Sequence, residues 1–74
     1  NDLIDLEISV FPNPSPGIIN VKSELIIDKI NLYTADGKLL TSTEESSIQL
    51  NTKGIHFIKI FTKKGNLVRK IIIN

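Results

Sequence analysis

Chemistry in a protein needs ionisable or nucleophilic side chains that converge, and this chain of 74 residues holds few candidates. His56 is its single histidine, so a histidine-based metal cluster is ruled out and any Ser/His/Asp arrangement would have to use this one imidazole. Set in a run of isoleucine and phenylalanine, it is expected as a half-buried ring at the rim of a sheet. Glu44 and Glu45 are adjacent in a polar turn, whereas carboxylates that share acid and base work must face each other across a cleft. They read as a solvated loop. Asp28 and Asp36 lack the ligand spacing of a calcium loop. Gly37, Gly54 and Gly65 each punctuate a turn and do not combine into a phosphate cradle. Asn13-Pro14-Ser15 has the outline of a glycosylation acceptor, but proline in its middle position forbids the modification. With no nucleophile and base to pair, neither an enzyme nor a cofactor is expected.

Lys63, Lys64, Arg69 and Lys70 place cations near the last strand pair. Charge on an exposed strand blocks edge-to-edge aggregation, and the same charge is available to a partner. Over the whole chain, 9 Lys and Arg against 8 Asp and Glu leave a net charge of +1, too balanced to argue for nucleic acid or an anionic membrane. There is no cysteine, so neither disulfides nor a thiolate metal site can contribute. A domain of this size buries only about 60% of its unfolded surface, and its stability must come from aliphatic packing. The apolar fraction of 41%, with 3 Phe and 1 Tyr, predicts a core built from Ile, Leu and Val. No apolar run approaches the roughly 18 residues that a membrane-spanning helix needs. With no methionine in it, the chain is expected to be an excerpt of a longer protein that continues upstream.

The elements that would position these residues are short strands. Leu6, Ile8 and Val10 alternate with polar neighbours in a first strand, after a lead-in over residues 1–5 that reads as the remnant of a linker. Pro12, Pro14 and Pro16 then end it, because proline cannot donate to a ladder, and give a stiff extended crossover that either shields a sheet edge or offers a preformed recognition surface. A second strand carries Ile19 and Val21 on one face. A third runs from Leu25 to Tyr33 with Ile26, Ile30 and Leu32 on one parity. Asp36-Gly37 is the clearest hairpin signal, since both residues tolerate positive φ, and Leu39 to Thr41 form the return strand. Ile48 and Leu50 make a short strand. The last third is a hairpin: Gly54 to Phe61, a turn from Thr62 to Asn66, and Leu67 to Ile73. Three consecutive isoleucines at its end require a surface to dock on. In that last strand Leu67, Ile71 and Ile73 share a parity with Arg69, and Val68 and Ile72 share the other with Lys70, so alternation leaves the buried face open.

About seven short strands with turn signals roughly every 8 to 12 residues, and no helical stripe, predict an all-β fold. The expected architecture is a small antiparallel β-sandwich spanning residues 6–74, packing Ile8, Val10, Ile19, Val21, Ile30, Leu32, Ile48, Leu50, Ile58 and Ile60 between two sheets.

In this order the features resemble a known family, the type A C-terminal sorting domain of the type IX secretion system of Bacteroidota. The resemblance rests on Val10-Phe11-Pro12-Asn13-Pro14, then Ile19 and Val21, then Ile30, Leu32, Tyr33 and the Asp36-Gly37-Lys38 hairpin. It continues through Leu50, Gly54, Lys59 and Ile60 and closes on Gly65, Val68, Lys70, Ile71 and Ile72. The chain departs from the family in carrying His56 where tyrosine is usual, and Ile73 and Asn74 where a further lysine often stands.

The resemblance implies an immunoglobulin-like sandwich that acts as a non-catalytic address label. It implies a cargo that reaches the periplasm by its own signal peptide and then crosses the outer membrane to be secreted or held at the cell surface. The implied partners are an outer-membrane translocon, a shuttle and a sortase-like protease that removes the label, with the domain itself a monomer. The expected partner-recognition residues are Pro12, Asn13, Pro14, Asp36, Gly37, Gly54, Arg69, Lys70, Ile71 and Ile72. The competing reading is an immunoglobulin-like binding or spacer module appended to a secreted enzyme. Carbohydrate sites on sandwiches use exposed aromatic platforms, and here tryptophan is absent and Tyr33 is joined only by Phe11, Phe57 and Phe61.

Overall fold

The computed structural model describes residues 7–74. The lead-in over residues 1–5 and Leu6 of the first expected strand lie outside that range. Seven strands follow in order: β1 Ile8–Phe11, β2 Ile18–Ser23, β3 Ile27–Thr34, β4 Leu39–Thr43, β5 Ser47–Gln49, β6 Gly54–Thr62 and β7 Gly65–Ile73. They form a three-stranded sheet in the order β1-β2-β5 and a four-stranded sheet in the order β4-β3-β6-β7, every neighbouring pair antiparallel. This is the all-β, immunoglobulin-like sandwich expected, with β4 paired to β3 rather than joining the smaller sheet.

The core is the set of inward side chains of both sheets. Ile8, Ile19, Val21 and Ile48 come from the small sheet, and Ile30, Leu32, Ile58, Ile60, Leu67, Ile71 and Ile73 from the large one. Alternation in β6 selects its inner face without ambiguity: His56, Ile58, Ile60 and Thr62 are buried, while the residues between them are not. Pairing with β6 then decides the parity that alternation left open in β7. His56 faces Ile71 and Ile60 faces Leu67 across the ladder, so the Leu67, Ile71, Ile73 side is inside, and Val68 and Ile72 point to solvent.

Several local expectations are corrected. Ile26 is 74% exposed rather than in line with Ile30 and Leu32, because the register shifts between Ile27 and Lys29. The extra residue at Asp28 resets the parity and leaves Ile27 packed against the core instead. Val10 is half-buried and not part of the central cluster. The β6–β7 turn is only Lys63 and Lys64, since Thr62 pairs with Gly65 and Asn66 with Phe61. Thr62 Oγ1 donates to the Gly65 carbonyl at 2.7 Å and accepts from the Lys64 amide at 3.1 Å, which closes so short a loop. The return strand β4 extends through Ser42 to Thr43, a polar stretch that Ser42 anchors by donating to Asn31 Oδ1 at 2.6 Å.

The Asp36-Gly37 hairpin forms as expected. Gly37 takes φ 90°, its amide donates to the Thr34 carbonyl at 3.0 Å, and the Thr34 amide donates to the Lys38 carbonyl at 2.8 Å. The Thr34 hydroxyl donates to the Asp36 carboxylate and accepts from the Lys38 amide. That hydroxyl, and then the backbone amides of Asp36 and Lys38, hold the Asp36 carboxyl below its ordinary value of 3.8. A carboxyl lowered on folding contributes stability that is present above its unfolded value and lost as pH falls through its folded one. Asp36→Asn is therefore expected to flatten the acid limb of the stability curve below about pH 4. Urea titrations of both forms at stepped pH measure it.

Candidate recognition site

The segment between β1 and β2 is tied to the outer edge of β7. β7 is the last strand of its sheet, so one row of its backbone groups has no strand to pair with. Asn13 spans part of that row. Its Nδ2 donates to the Lys70 carbonyl at 3.0 Å, and its Oδ1 accepts from the Ile72 amide at 3.1 Å. Two residues on, the Ser15 amide donates to the Ile72 carbonyl at 2.8 Å, and the Asn74 amide donates to the Ser15 carbonyl at 2.8 Å. Ser15 and Ile73 thus form a short parallel bridge.

Prolines on both sides of Asn13 suit this job, since a segment that gives the edge one side chain and the N–H and C=O of Ser15 needs no backbone donors at positions 12, 14 and 16. The segment shields the edge over Lys70 to Asn74, so a partner cannot add a strand there. Val68 and Asn66 lie beyond the shield. The shielding reading of the proline segment holds in the structure.

Ser15 is the residue that sequence reasoning missed. It is fully buried, its Oγ donates to the Ile18 carbonyl at 2.6 Å, and it accepts from the Gly17 amide at 3.1 Å. Those bonds turn the chain into β2, where Gly17 takes φ 141° and a Cβ would sit 3.2 Å from the Leu50 carbonyl oxygen. A serine two residues ahead of a glycine is a turn signal in itself, hidden here among prolines.

The other expected positions divide by depth. Lys70 and Ile72 are exposed on β7, and Pro12, Asn13 and Pro14 are exposed beside them. Ile71 is fully buried, so it holds the strand in place and offers no surface to a partner. Arg69 is half-buried on the inward parity of β7. Gly54 pairs with Ile73, and Thr34 pairs with His56, so Gly54, the Asp36-Gly37 turn and the end of β7 all lie at one end of the large sheet. Lys63 and Lys64 lie at the other end, where Lys63 sits 3.5 Å from Asp28 in an exposed ion pair. The four cations near the last hairpin are therefore not one cluster.

His56 lies near the end of the sheet, opposite Thr34, but is buried rather than half-buried. Its ring is 2% exposed, on the core side of β6, and Nδ1 lies 3.1 Å from the Gly54 carbonyl. A carbonyl only accepts, so Nδ1 carries the proton. The open groove between β4 and β5, about 360 Å³, is lined by Glu45 as its single ionisable side chain and does not reach the imidazole. Among the described residues no three His, Cys, Asp or Glu gather as a metal site, and no helix is long and apolar enough to cross a membrane.

A small sandwich whose histidine is sealed in the core, and whose most elaborate polar arrangement binds its own edge strand, is an immunoglobulin-like module. The model of the secretion system C-terminal sorting domain matches residues 9–74, and the chain belongs to that family. It is a C-terminal signal for type IX secretion, directing export across the outer membrane to the cell surface or the extracellular space. Membership favours the sorting role over a binding or spacer module. No curated protein matches the chain.

Proposed function

We infer that the type IX machinery reads this domain at the surface where the proline segment meets β7. Pro12, Asn13, Pro14, Lys70 and Ile72 form the contact, with Asp36, Gly37 and Gly54 at the same end of the sheet and with Arg69 and Ile71 holding the strand from within. The observation that carries this reading is that the Asn13 side chain donates to the Lys70 carbonyl and accepts from the Ile72 amide, which makes one surface of two distant parts of the chain. A preformed surface loses little entropy on binding. The outer-membrane translocon, a shuttle and a sortase-like protease are the partners in this reading. Residues 1–5 are the linker from an upstream cargo and residues 6–74 the domain, which acts as a monomer, catalyses nothing and is removed after export.

The test is export of a fluorescent cargo carrying Arg69→Ala with Lys70→Ala, its folding checked by circular dichroism. Lys70→Glu alone accompanies it, because Arg69 lies on the inward parity and Lys70 does not. Both variants are expected to stay folded and to lose about tenfold or more of their export, the scale of a reversed charge in an interface. Undiminished export of the folded variants rejects this docking surface.

A further inference from the structure

The outer face of the four-stranded sheet has no second sheet packed on it, and the outward charged residues of its strands are lysines. On β6, Ile55, Phe57, Lys59 and Phe61 alternate with the core residues and point away from the small sheet. Across the ladders Phe57 faces Lys70 and Tyr33, Lys59 faces Val68 and Asn31, and Phe61 faces Lys29. Val68 is 57% and Ile55 46% exposed, so aliphatic surface lies open between the cations. Among the described residues the outward positions of the four strands hold Lys29, Lys59 and Lys70 and no carboxylate, and Glu44 follows directly on the end of β4. Asp28 is the bulge residue turned to Lys63, and Asp36 is in the hairpin turn, bonded to Thr34.

The cations are held, not merely present. Lys29 Nζ lies 4.8 Å and Lys59 Nζ 5.1 Å from the centre of the Phe61 ring, so two ammonium groups are positioned over one aromatic. This arrangement also argues against a sugar, which would need the ring face that the ammonium groups occupy. Nor does the face suit itself, since two copies stacked symmetrically would oppose lysine to lysine. Four strands about 4.8 Å apart and roughly seven residues of about 3.4 Å each give a face of about 400 to 500 Å². That is around half of one side of a standard protein interface, enough for its centre.

We propose that this face docks a partner protein whose surface sets Asp or Glu side chains among apolar ones, with Lys29, Lys59 and Lys70 as charge anchors and Phe57, Ile55 and Val68 as the apolar contact. The inference rests on the reading that the domain is docked by the export machinery, and it adds the chemistry of the docked surface.

The experiment carries the whole chain behind a periplasmic reporter in a type IX host. Lys29→Glu with Lys59→Glu is expected to cut extracellular reporter about tenfold or more with the circular dichroism spectrum unchanged. Lys29→Arg with Lys59→Arg is expected to keep it, and Lys22→Glu with Lys53→Glu, an equal change of charge elsewhere, to leave it unaltered. A photo-crosslinking residue in place of Phe57 is expected to join a peptide rich in Asp and Glu, and to lose that product in the Lys29→Glu, Lys59→Glu background. Equal losses from both charge reversals, a product with a second copy of the chain, or a product with glycan or lipid alone overturns the proposal. Full export of the folded Lys29→Glu, Lys59→Glu variant overturns this proposal only, whereas a wild-type fusion that stays in the periplasm overturns the docking reading as well.

Discussion

Ile58→Ala is expected to cost about 2–5 kcal/mol of folding stability. Ile58 is fully buried in the middle of β6, which is hydrogen-bonded on both sides, and its side chain projects between the two sheets. Truncation removes the transfer free energy of three carbons and leaves a cavity that a rigid central strand cannot collapse to fill. A chain of this length has roughly 4–11 kcal/mol in total, so the change removes a large share of it. The melting midpoint should fall by some 8–40 °C, at about 4–8 °C per kcal/mol for a domain this small. Val68→Ala on the neighbouring strand removes two carbons from a site that is 57% exposed, and should change stability by less than about 0.5 kcal/mol. Thermal melts of the two variants side by side check the assignment of inner and outer faces.

Ser15→Ala is the second large effect. The hydroxyl is buried, donates to one backbone carbonyl and accepts from one backbone amide, so its removal leaves both of those groups without their partner. Each unsatisfied buried group costs about 1–3 kcal/mol, and the sum is roughly 2–4 kcal/mol once relaxation of the turn is allowed for. The consequence reaches β7, because the same residue's peptide groups bond Ile72 and Asn74. Hydrogen exchange should therefore speed up at the amides of Ile72 and Asn74 while the amides within the β3–β6 ladder keep their protection. Uniform acceleration across the sheet would mean that Ser15 supports the whole fold and not the shielded edge in particular.

The fold class was legible in the chain because period-2 alternation is strong in β2, β5 and β6, and because proline, Asp-Gly and single glycines separate the strands. Ile19, Val21, Ile30, Leu32, Ile48, Leu50, Ile58 and Ile60 could be read by parity alone. What could not be read depends on pairing across the ladder. β7 alternates isoleucine and valine with cations on both faces, and only its contact with β6 decides which is inside. The bulge at Asp28 is equally silent in sequence, since one extra residue moves Ile26 out and Ile27 in with no change of composition. His56 misled because its polar type outweighed its parity with Ile58. A ring with one nitrogen bonded to a backbone carbonyl is an acceptable core residue.

The proposed recognition site was legible as two stretches, without the contact that joins them. The proline segment and the last strand each stood out by composition, but the contact joining them is made by a side-chain amide across the long separation from Asn13 to Lys70 and Ile72. Ser15 left only a turn signal. The outer sheet face left no signal either, because Lys29, Lys59 and Lys70 are spread over three strands and meet only after β3, β6 and β7 align.

Transport itself gives the most direct measurement: extracellular fluorescence from a periplasmic reporter fused ahead of these 74 residues, in a host with the type IX translocon and in one without it. A domain read as a folded signal predicts reporter in the medium or on the cell surface of the first host and reporter retained in the periplasm of the second. Equal release from the two hosts would contradict it.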